Sequence, residues 1–494
     1  MEIICFSNVC YKYPQSDKYA LNNISLSVEK GEFLAVMGKN GSGKSTFCAI
    51  INGIIPHLYG GSLEGSVIVD GIRVIESSVP ELSRIAGIVL DDPDAQLFTS
   101  SVYNEAAFGP ENLLLPETEV KQRVKEALRA AGLTGFEDRK PSTLSGGEKQ
   151  RLSIAAVLAM KSKILVLDDP FCRLDPDGVQ EVMSVLNNLK IQHGITIIAA
   201  CGESEIMIKY ADRVLILNNG GIAALDKAKG VLADTELLES NGVQPVAINK
   251  YYSAPFSAFT PRDKNKKEAV KICNFGYSYP NGGGINNINL TIYDNDFAAI
   301  IGKNGCGKTT LLKSVTGLSR PYSGEIFIRG RNIKKLSIAE ISKDIGFVMQ
   351  NPDTQLFTDS VYNEAAYALK NTRLPASEIK KRVEEALLKT SLECYANEYP
   401  HSLSRADRVK TVIACVLSMS ARANPGIIFF DEADAGNDYP GNTRIMNIAR
   451  DLHLAGCTII FVTHNMFLAN HYARRVIKME KNGIISDYQL QKDD

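Results

Sequence analysis

Roughly half of this chain is written twice, and no other feature limits the fold so tightly. GKNGSGKST begins at Gly38 and GKNGCGKTT at Gly302. DPDAQLFTSSVYNEAAFG begins at Asp92 and NPDTQLFTDSVYNEAAYA at Asn351. KQRVKEALRAAGL begins at Lys121 and KKRVEEALLKTSL at Lys380. The spacing stays near 260 residues throughout. So long a period is a tandem duplication of a whole domain, not the short repeat of a solenoid. The copies are read as residues 1–235 and 268–494. Between them lies a linker, 236–267, ending in YYSAPFSAFTPRDKNKK, with Pro, Ser, a basic run and no clear period. A chain of 494 residues gives each copy enough material for its own core.

Each copy alternates short apolar runs with amphipathic ones. Residues 33–37, 164–167 and 196–200 read as buried strands, as do 298–301, 427–430 and 458–462. Residues 119–131 and 378–388 read as helices. Strands alternating with helices imply an α/β fold with a mostly parallel sheet.

The G-x-x-x-x-G-K-[ST] pattern appears in each copy after a strand and before a helical run, which is the context that gives it meaning. The first loop supplies Gly38, Lys39, Asn40, Gly41, Ser42, Gly43, Lys44, Ser45 and Thr46. The second supplies Gly302, Lys303, Asn304, Gly305, Cys306, Gly307, Lys308, Thr309 and Thr310. Glycines let backbone N–H groups wrap phosphates, and the following helix points its positive end at them. Lys44 and Lys308 reach the β- and γ-phosphates of ATP, and Ser45 and Thr309 offer hydroxyls to Mg²⁺. Each copy also has an apolar strand ending in two acids, Asp168 and Asp169, then Asp431 and Glu432. The first acid of each pair would hold Mg²⁺ through water, and the second would orient or deprotonate the attacking water. An acid after a strand is usually the start of a loop; downstream of a phosphate loop it carries more weight.

Composition excludes several classes. A formal net charge of −1 leaves no footprint for a bulk nucleic-acid binder. No stretch reaches the roughly 18 consecutive apolar residues of a membrane span. The start, MEIICFSNVCYKYP, lacks the basic and apolar regions of a secretory signal. The ten cysteines form no CxxC pair and no zinc spacing, so reduced thiols are expected.

The string LSGGEKQR, residues 144–151, completes the set shortly before the acidic strand. With it the chain resembles the ATP-binding cassette ATPases over nearly its whole length outside the linker. The resemblance implies a RecA-like P-loop core with a helical subdomain in each half. It also implies head-to-tail association of the two halves, each ATP touching the phosphate loop of one and the signature (Ser145, Gly146, Gly147) of the other. Tyr13 and Tyr279 would stack on adenine. Gln350 would sense the γ-phosphate and the metal, with Asp91 at the matching place. His464 would be the switch histidine, matched by Gly202. Asp175 and Asp438 would speak across the interface.

The departures from the pattern fall unevenly. The first half has Asp91, Asp169 and Gly202 where the chemistry asks for Gln, Glu and His. The second half keeps Lys308, Gln350, Glu432 and His464 as its catalytic set, but its signature reads LSRAD, residues 403–407. Under the implied pairing, every loss lands in one composite site and the other is complete. Asp169 is a methylene shorter than Glu, and a misplacement of about 1 Å can cost about 10²-fold. Arg405 and Ala406 add Cβ atoms where glycine admits a phosphate, though Arg405 offers that phosphate a pairing group. The degenerate site is expected to hold ATP while the complete one turns over. Cys306, beside a helix N-terminus, is expected to be a reactive thiolate.

The segments DAQLFTSSVYNEAAFG and DTQLFTDSVYNEAAYA look like those of energy-coupling factor transporter ATPases. That resemblance implies import of a vitamin or transition-metal ion. It implies a transmembrane coupling subunit, a small substrate-binding membrane protein, and a peripheral position on the cytoplasmic side of the cell membrane. The other reading of these segments is an ordinary helix start after a loop. Fused ATPases of sugar-type importers and cytosolic twin cassettes acting on ribosomes are the rival classes. The short, modestly basic linker and the uneven sites weigh against the ribosomal one.

Overall fold

Five consecutive apolar residues, Phe33–Met37, can be buried only where both faces of a strand are covered, and all five are buried. In the computed structural model this strand lies inside a six-stranded sheet. The sheet runs Gly221–Lys227, Arg213–Asn218, Phe33–Met37, Thr196–Ala200, Ile164–Asp168, Ala86–Val89. Its pairings are parallel, with Leu34 beside Ile198 and Leu165 beside Ile197, except for the antiparallel edge Gly221–Lys227. Residues 1–172, 174–246, 267–279, 284–320, 322–372, 374–419, 426–481 and 483–490 are described. The chain divides into two compact units, Met1–Ala247 with Asp438–Pro440, and Ile248–Asn437 with Gly441–Asp494. In the second unit the sheet repeats as Ile345–Val348, Ile427–Asp431, Thr458–Val462, Phe297–Ile301, Arg475–Glu480, Gly483–Gln489.

Sequence periodicity did not announce a second, antiparallel sheet in each unit. In the first it runs Leu21–Glu29, Glu2–Lys12, Ser62–Val69, Ile72–Arg73. Its alternation is broken by a register shift between Phe6 and Val9, where Asn8 takes φ 49. Asn274 repeats this at φ 48 in the second unit. A bulge of this kind resets which side chains face the core, so a strict period of two never develops. Between the two sheets, Phe6, Tyr11, Phe47 and Leu215 share one apolar core.

Each unit also carries a helical layer. In the first, Val102–Asn112, Glu117–Ala130 and Gly146–Ala159 pack around Val124, Leu128 and Leu152. In the second, Val361–Lys370, Ala376–Thr390 and Arg405–Met419 do the same around Val383, Leu387 and Ile413. The reading of residues 236–267 as linker is corrected at its start. Helix Thr235–Ser240 is capped by Asp234, and Leu238 and Val243 are buried in the first unit's core. Residues 247–266 of that linker lie outside the described residues.

Candidate functional site

In the second unit, strand Phe297–Ile301 feeds the phosphate loop and helix Lys308–Val315 leaves it. Gly307 caps that helix at φ 101, and no side chain caps it. A Cβ there would stand 2.2 Å from Ile285 Cγ2, so only glycine fits. The first-turn N–H groups of such a helix have no partners within it, which suits an anion. Gly43 does the same for helix Lys44–Ile51 at φ 108. Lys308 Nζ donates to the carbonyls of Gly302 (2.8 Å) and Lys303 (3.0 Å). Lys44 Nζ donates to those of Gly38 (2.7 Å) and Lys39 (3.1 Å). Both lysines are thereby folded over their loops.

The acidic strands arrive beside these loops. Thr309 Oγ1 donates to Asp431 Oδ1 at 3.0 Å, and Ser45 Oγ to Asp168 Oδ1 at 3.0 Å. A hydroxyl and a carboxylate at a helix N-terminus are hard oxygen donors, and this pair fits Mg²⁺ in each unit. Burial pushes the Asp431 carboxyl up to about 6 and raises that of Asp168. Tyr13 Oη lies 3.0 Å from Thr46 Oγ1, and Tyr279 hydrogen-bonds Thr310 in the same way. Both rings are more than a third exposed, 37% and 44%, so each offers a face beside its loop.

The second acids share a backbone feature invisible in the sequence. Glu432 has φ 46 and Asp169 φ 50, left-handed for L residues. Each N–H still bonds the next strand, Glu432 to Val462 O (3.1 Å) and Asp169 to Ala200 O (2.8 Å). The strained turn is therefore held from outside, which is how a functional site keeps such a conformation.

From that shared backbone the two side chains part company. Glu432 Oε2 accepts from Gln350 Nε2 at 2.7 Å, and Glu432 Oε1 accepts from His464 Nε2 at 3.0 Å. Lys308 Nζ stands 3.8 Å from Glu432 Oε1 and 3.3 Å from His464 Nε2. A carboxylate accepts, so the imidazole proton belongs on Nε2, and Lys308 is a neighbouring charge rather than a donor to the ring. Burial alone would raise the Glu432 carboxyl. The His464 hydrogen bond and charge, with Lys308, outweigh it and leave the group below its ordinary value.

Among the described residues of the first unit this arrangement is not repeated. Burial pushes Asp169 up to about 6 against the opposing charge of Lys44, with Asp168 and Asp91 adding like charge. Gly202 donates its N–H to Glu203 Oε2 at 3.1 Å. Burial raises that Glu203 carboxyl to about 7, and Asp169 adds to the rise.

The signature segments start helices. Ser145 accepts from Glu148 N, and Glu148 accepts from Ser145 N, a capping box at helix Gly146–Ala159. Gly146 is exposed and Gly147 buried. Asp175 caps helix Pro176–His193 through Gly178 N. Arg405 Nε donates to Ala435 O (2.7 Å) and its Nη2 to Gln350 O (2.9 Å), inside its own unit. The expectation of a reactive Cys306 is overturned. It is 3% exposed, and burial raises its thiol despite Lys308 and the helix start.

The segments after residues 91 and 350 have an internal logic that sequence reading missed. Buried Glu105 accepts from the N–H groups of Phe98 and Thr99, and buried Glu364 from those of Phe357 and Thr358. Ser101 and Ser360 cap the following helices. The chain signal was present, an acid four residues after the cap, but only burial shows that it braces a loop. This folding leaves an edge-to-face aromatic pair at the surface of each unit. Phe98–Phe108 has ring centroids 4.8 Å apart, and Phe357–Tyr367 4.6 Å.

The family model described as ABC transporter matches residues 21–172 and 285–435. A protein of Caldanaerobacter subterraneus subsp. tengcongensis, named as an ABC transporter ATP-binding protein, is 34% identical over 99% of this chain and 92% of its own. One of the same designation from Methanosarcina mazei is 35% identical over 98% of this chain and 88% of its own. Among solved structures, cbiO1 from Clostridium perfringens, part of the ABC transporter complex cbiONQ, is 36% identical over 48% of this chain and 94% of its own. Its TM-score is 0.44.

Proposed function

The chain belongs to the ABC transporter family as a tandem-cassette ATP-binding protein and ATPase, and from that premise we propose that its turnover is carried by the phosphate loop and acids of the second cassette. The observation that carries this reading is the set of contacts on Glu432, with Gln350, His464 and Lys308 all within 3.8 Å. Glu432, kept ionised, accepts the proton of the attacking water while Gln350 and His464 fix its direction. Lys308 draws charge from the phosphates. Thr309 and Asp431 would hold Mg²⁺, which offsets phosphate charge when bound. Tyr13 and Tyr279 offer faces to adenine. On the pairing that the resemblance implies, Ser145, Gly146 and Gly147 complete this site. The partner site, with Asp91, Asp169 and Gly202, binds ATP and holds it while the second cassette's site turns over.

A steady-state ATPase assay on the full chain tests this. Glu432→Gln should lower kcat by roughly 10²–10⁴-fold, and Asp169→Asn should change it by less than about threefold, since a group without positioned partners contributes little to the step. Equal losses in both variants would sink the assignment.

The proposed task is energy coupling for an importer of a vitamin or transition-metal ion. The support is the QLFT–SVYNE segment, present in both cassettes, with its two exposed aromatic pairs beside the loops of Asp91 and Gln350. Helices of a transmembrane coupling subunit would seat there, with a small substrate-binding membrane protein alongside. Among the described residues no helix is long and apolar enough to cross a membrane; in this reading the passage is built by those partners, and the chain sits at the cytoplasmic face. A mild-detergent pull-down with partners identified by mass decides the matter. A coupling-type protein plus a small hydrophobic one supports it, and a sugar-type permease or ribosomes would overturn it.

A further inference from the structure

The second cassette carries Arg405 where the first has Gly146 in its signature. Its guanidinium reaches both sides of Glu432. On one side it holds the carbonyl of Gln350, whose side-chain amide is on Glu432 Oε2 at 2.7 Å. On the other it holds the carbonyl of Ala435, whose N–H closes a turn onto Glu432 O at 3.1 Å. The fork lies close over Gly436, where a Cβ would stand 3.1 Å from Nε. In the first cassette Cys172 Sγ reaches Asp91 O at 3.8 Å between the corresponding loops. Alanine occupies the place of Cys172 in the second cassette and has no group to make that link. A separate tie from signature helix to loop exists in both cassettes, Lys149–Asp94 at 2.5 Å and Arg408–Asp353 at 2.6 Å. Arg405 is therefore an addition to the shared scaffold.

We propose that Arg405 is a positioning residue for ATP hydrolysis: it clamps the Gln350 loop to the segment after Glu432, so that amide and carboxylate stay in contact. This rests on reading the second cassette as the hydrolytic one. A planar guanidinium makes two charge-assisted hydrogen bonds in fixed directions, which a flexible chain cannot imitate. Without it the two loops are free to drift, and a displacement of about 1 Å at a catalytic group can cost about 10²-fold.

The test uses the full chain. Arg405→Ala should lower kcat by about 10–100-fold and leave KM for ATP within about threefold. Arg405→Lys, able to hold at least one carbonyl, should recover part of kcat. Glu432→Gln is measured in parallel. If that variant is inactive while Arg405→Ala keeps kcat within about twofold, the proposal is wrong and the site reading stands. If KM rises with kcat unchanged, the guanidinium serves ATP binding and the proposal is again wrong. If Glu432→Gln still turns over, the reading beneath it falls and the proposal with it. If Arg405→Ala does not fold, the lysine variant decides: an intermediate kcat at unchanged KM supports the clamp, and an unchanged kcat overturns it.

Discussion

A single buried carboxyl shows how the second cassette holds charge close to its chemistry. Asp434 receives a 2.6 Å hydrogen bond from Thr463 Oγ1, yet burial raises its carboxyl from 3.8 to about 6. Glu432 adds to the rise and His464 opposes it. The folded state thus binds this proton more readily than the unfolded chain. Stability from this group is complete below about pH 4 and is lost as pH rises through 6. A rise of that size corresponds to roughly 3 kcal/mol of penalty at neutral pH. Asp434→Asn keeps the acceptor and removes the charge. Calorimetry should show a higher Tm for the variant at pH 7.5 and little change at pH 4; equal shifts at both would exclude titration as the cause. The same desolvation governs Cys306. Timed alkylation followed by mass spectrometry should label the exposed Cys394 early and Cys306 late, with Cys306→Ser leaving inhibition by the alkylator unchanged.

At the scale of elements, two devices fix the helical layer of each unit. Strand Ile345–Val348 meets helix Arg405–Met419 through Gly346, where a Cβ would lie 2.1 Å from Val416 Cγ1. Gly87 plays the same part at 2.2 Å from Val157 Cγ1. Gly346→Ala should overpack this contact and cost about 1–3 kcal/mol, read as a lower midpoint in denaturant. The second device is the acid brace. Glu364 is 4% exposed and satisfies Phe357 N, Thr358 N and Thr358 Oγ1 through one oxygen. Glu364→Ala strands the N–H groups of Phe357 and Thr358, while Thr358 Oγ1 still has Ser360 O at 3.0 Å, and a buried unsatisfied group costs about 1–3 kcal/mol. A denaturant midpoint that did not move would show that the loop finds other partners.

Across the whole molecule, the duplicated segment gives two aromatic pairs with one proposed use. Replacing Phe98 and Phe357 together by Asp should sharply reduce recovery of the membrane partner. The purified chain's basal ATPase should stay within about twofold, because Phe98 and Phe357 are exposed and pack on Phe108 and Tyr367, while Glu432 is held by Gln350, His464 and Lys308. Coupled loss of ATPase and partner would mean that these rings hold the fold rather than the partner.

The sequence by itself determined the duplication, the α/β class, the two phosphate loops and the acidic strand ends. Those features are local: a glycine-rich turn between a strand and a helix is written in consecutive residues, and writing it twice in register left no room for coincidence. Two boundaries were less legible, since the helix at Thr235–Ser240 and the bulged antiparallel strands carry weak periodic signals. Tertiary structure alone decided which candidates meet. Gln350 and Glu432 are 82 residues apart, and His464 lies 32 beyond Glu432. Their contacts depend on a left-handed backbone at Glu432 that a neighbouring strand enforces. Arg405 was readable as a missing glycine but not as a donor to the carbonyls of Ala435 and Gln350, and Cys306 as a loop thiol but not as a buried one. Direction and burial are set by packing between distant segments, whereas the phosphate loop needs only its own few residues.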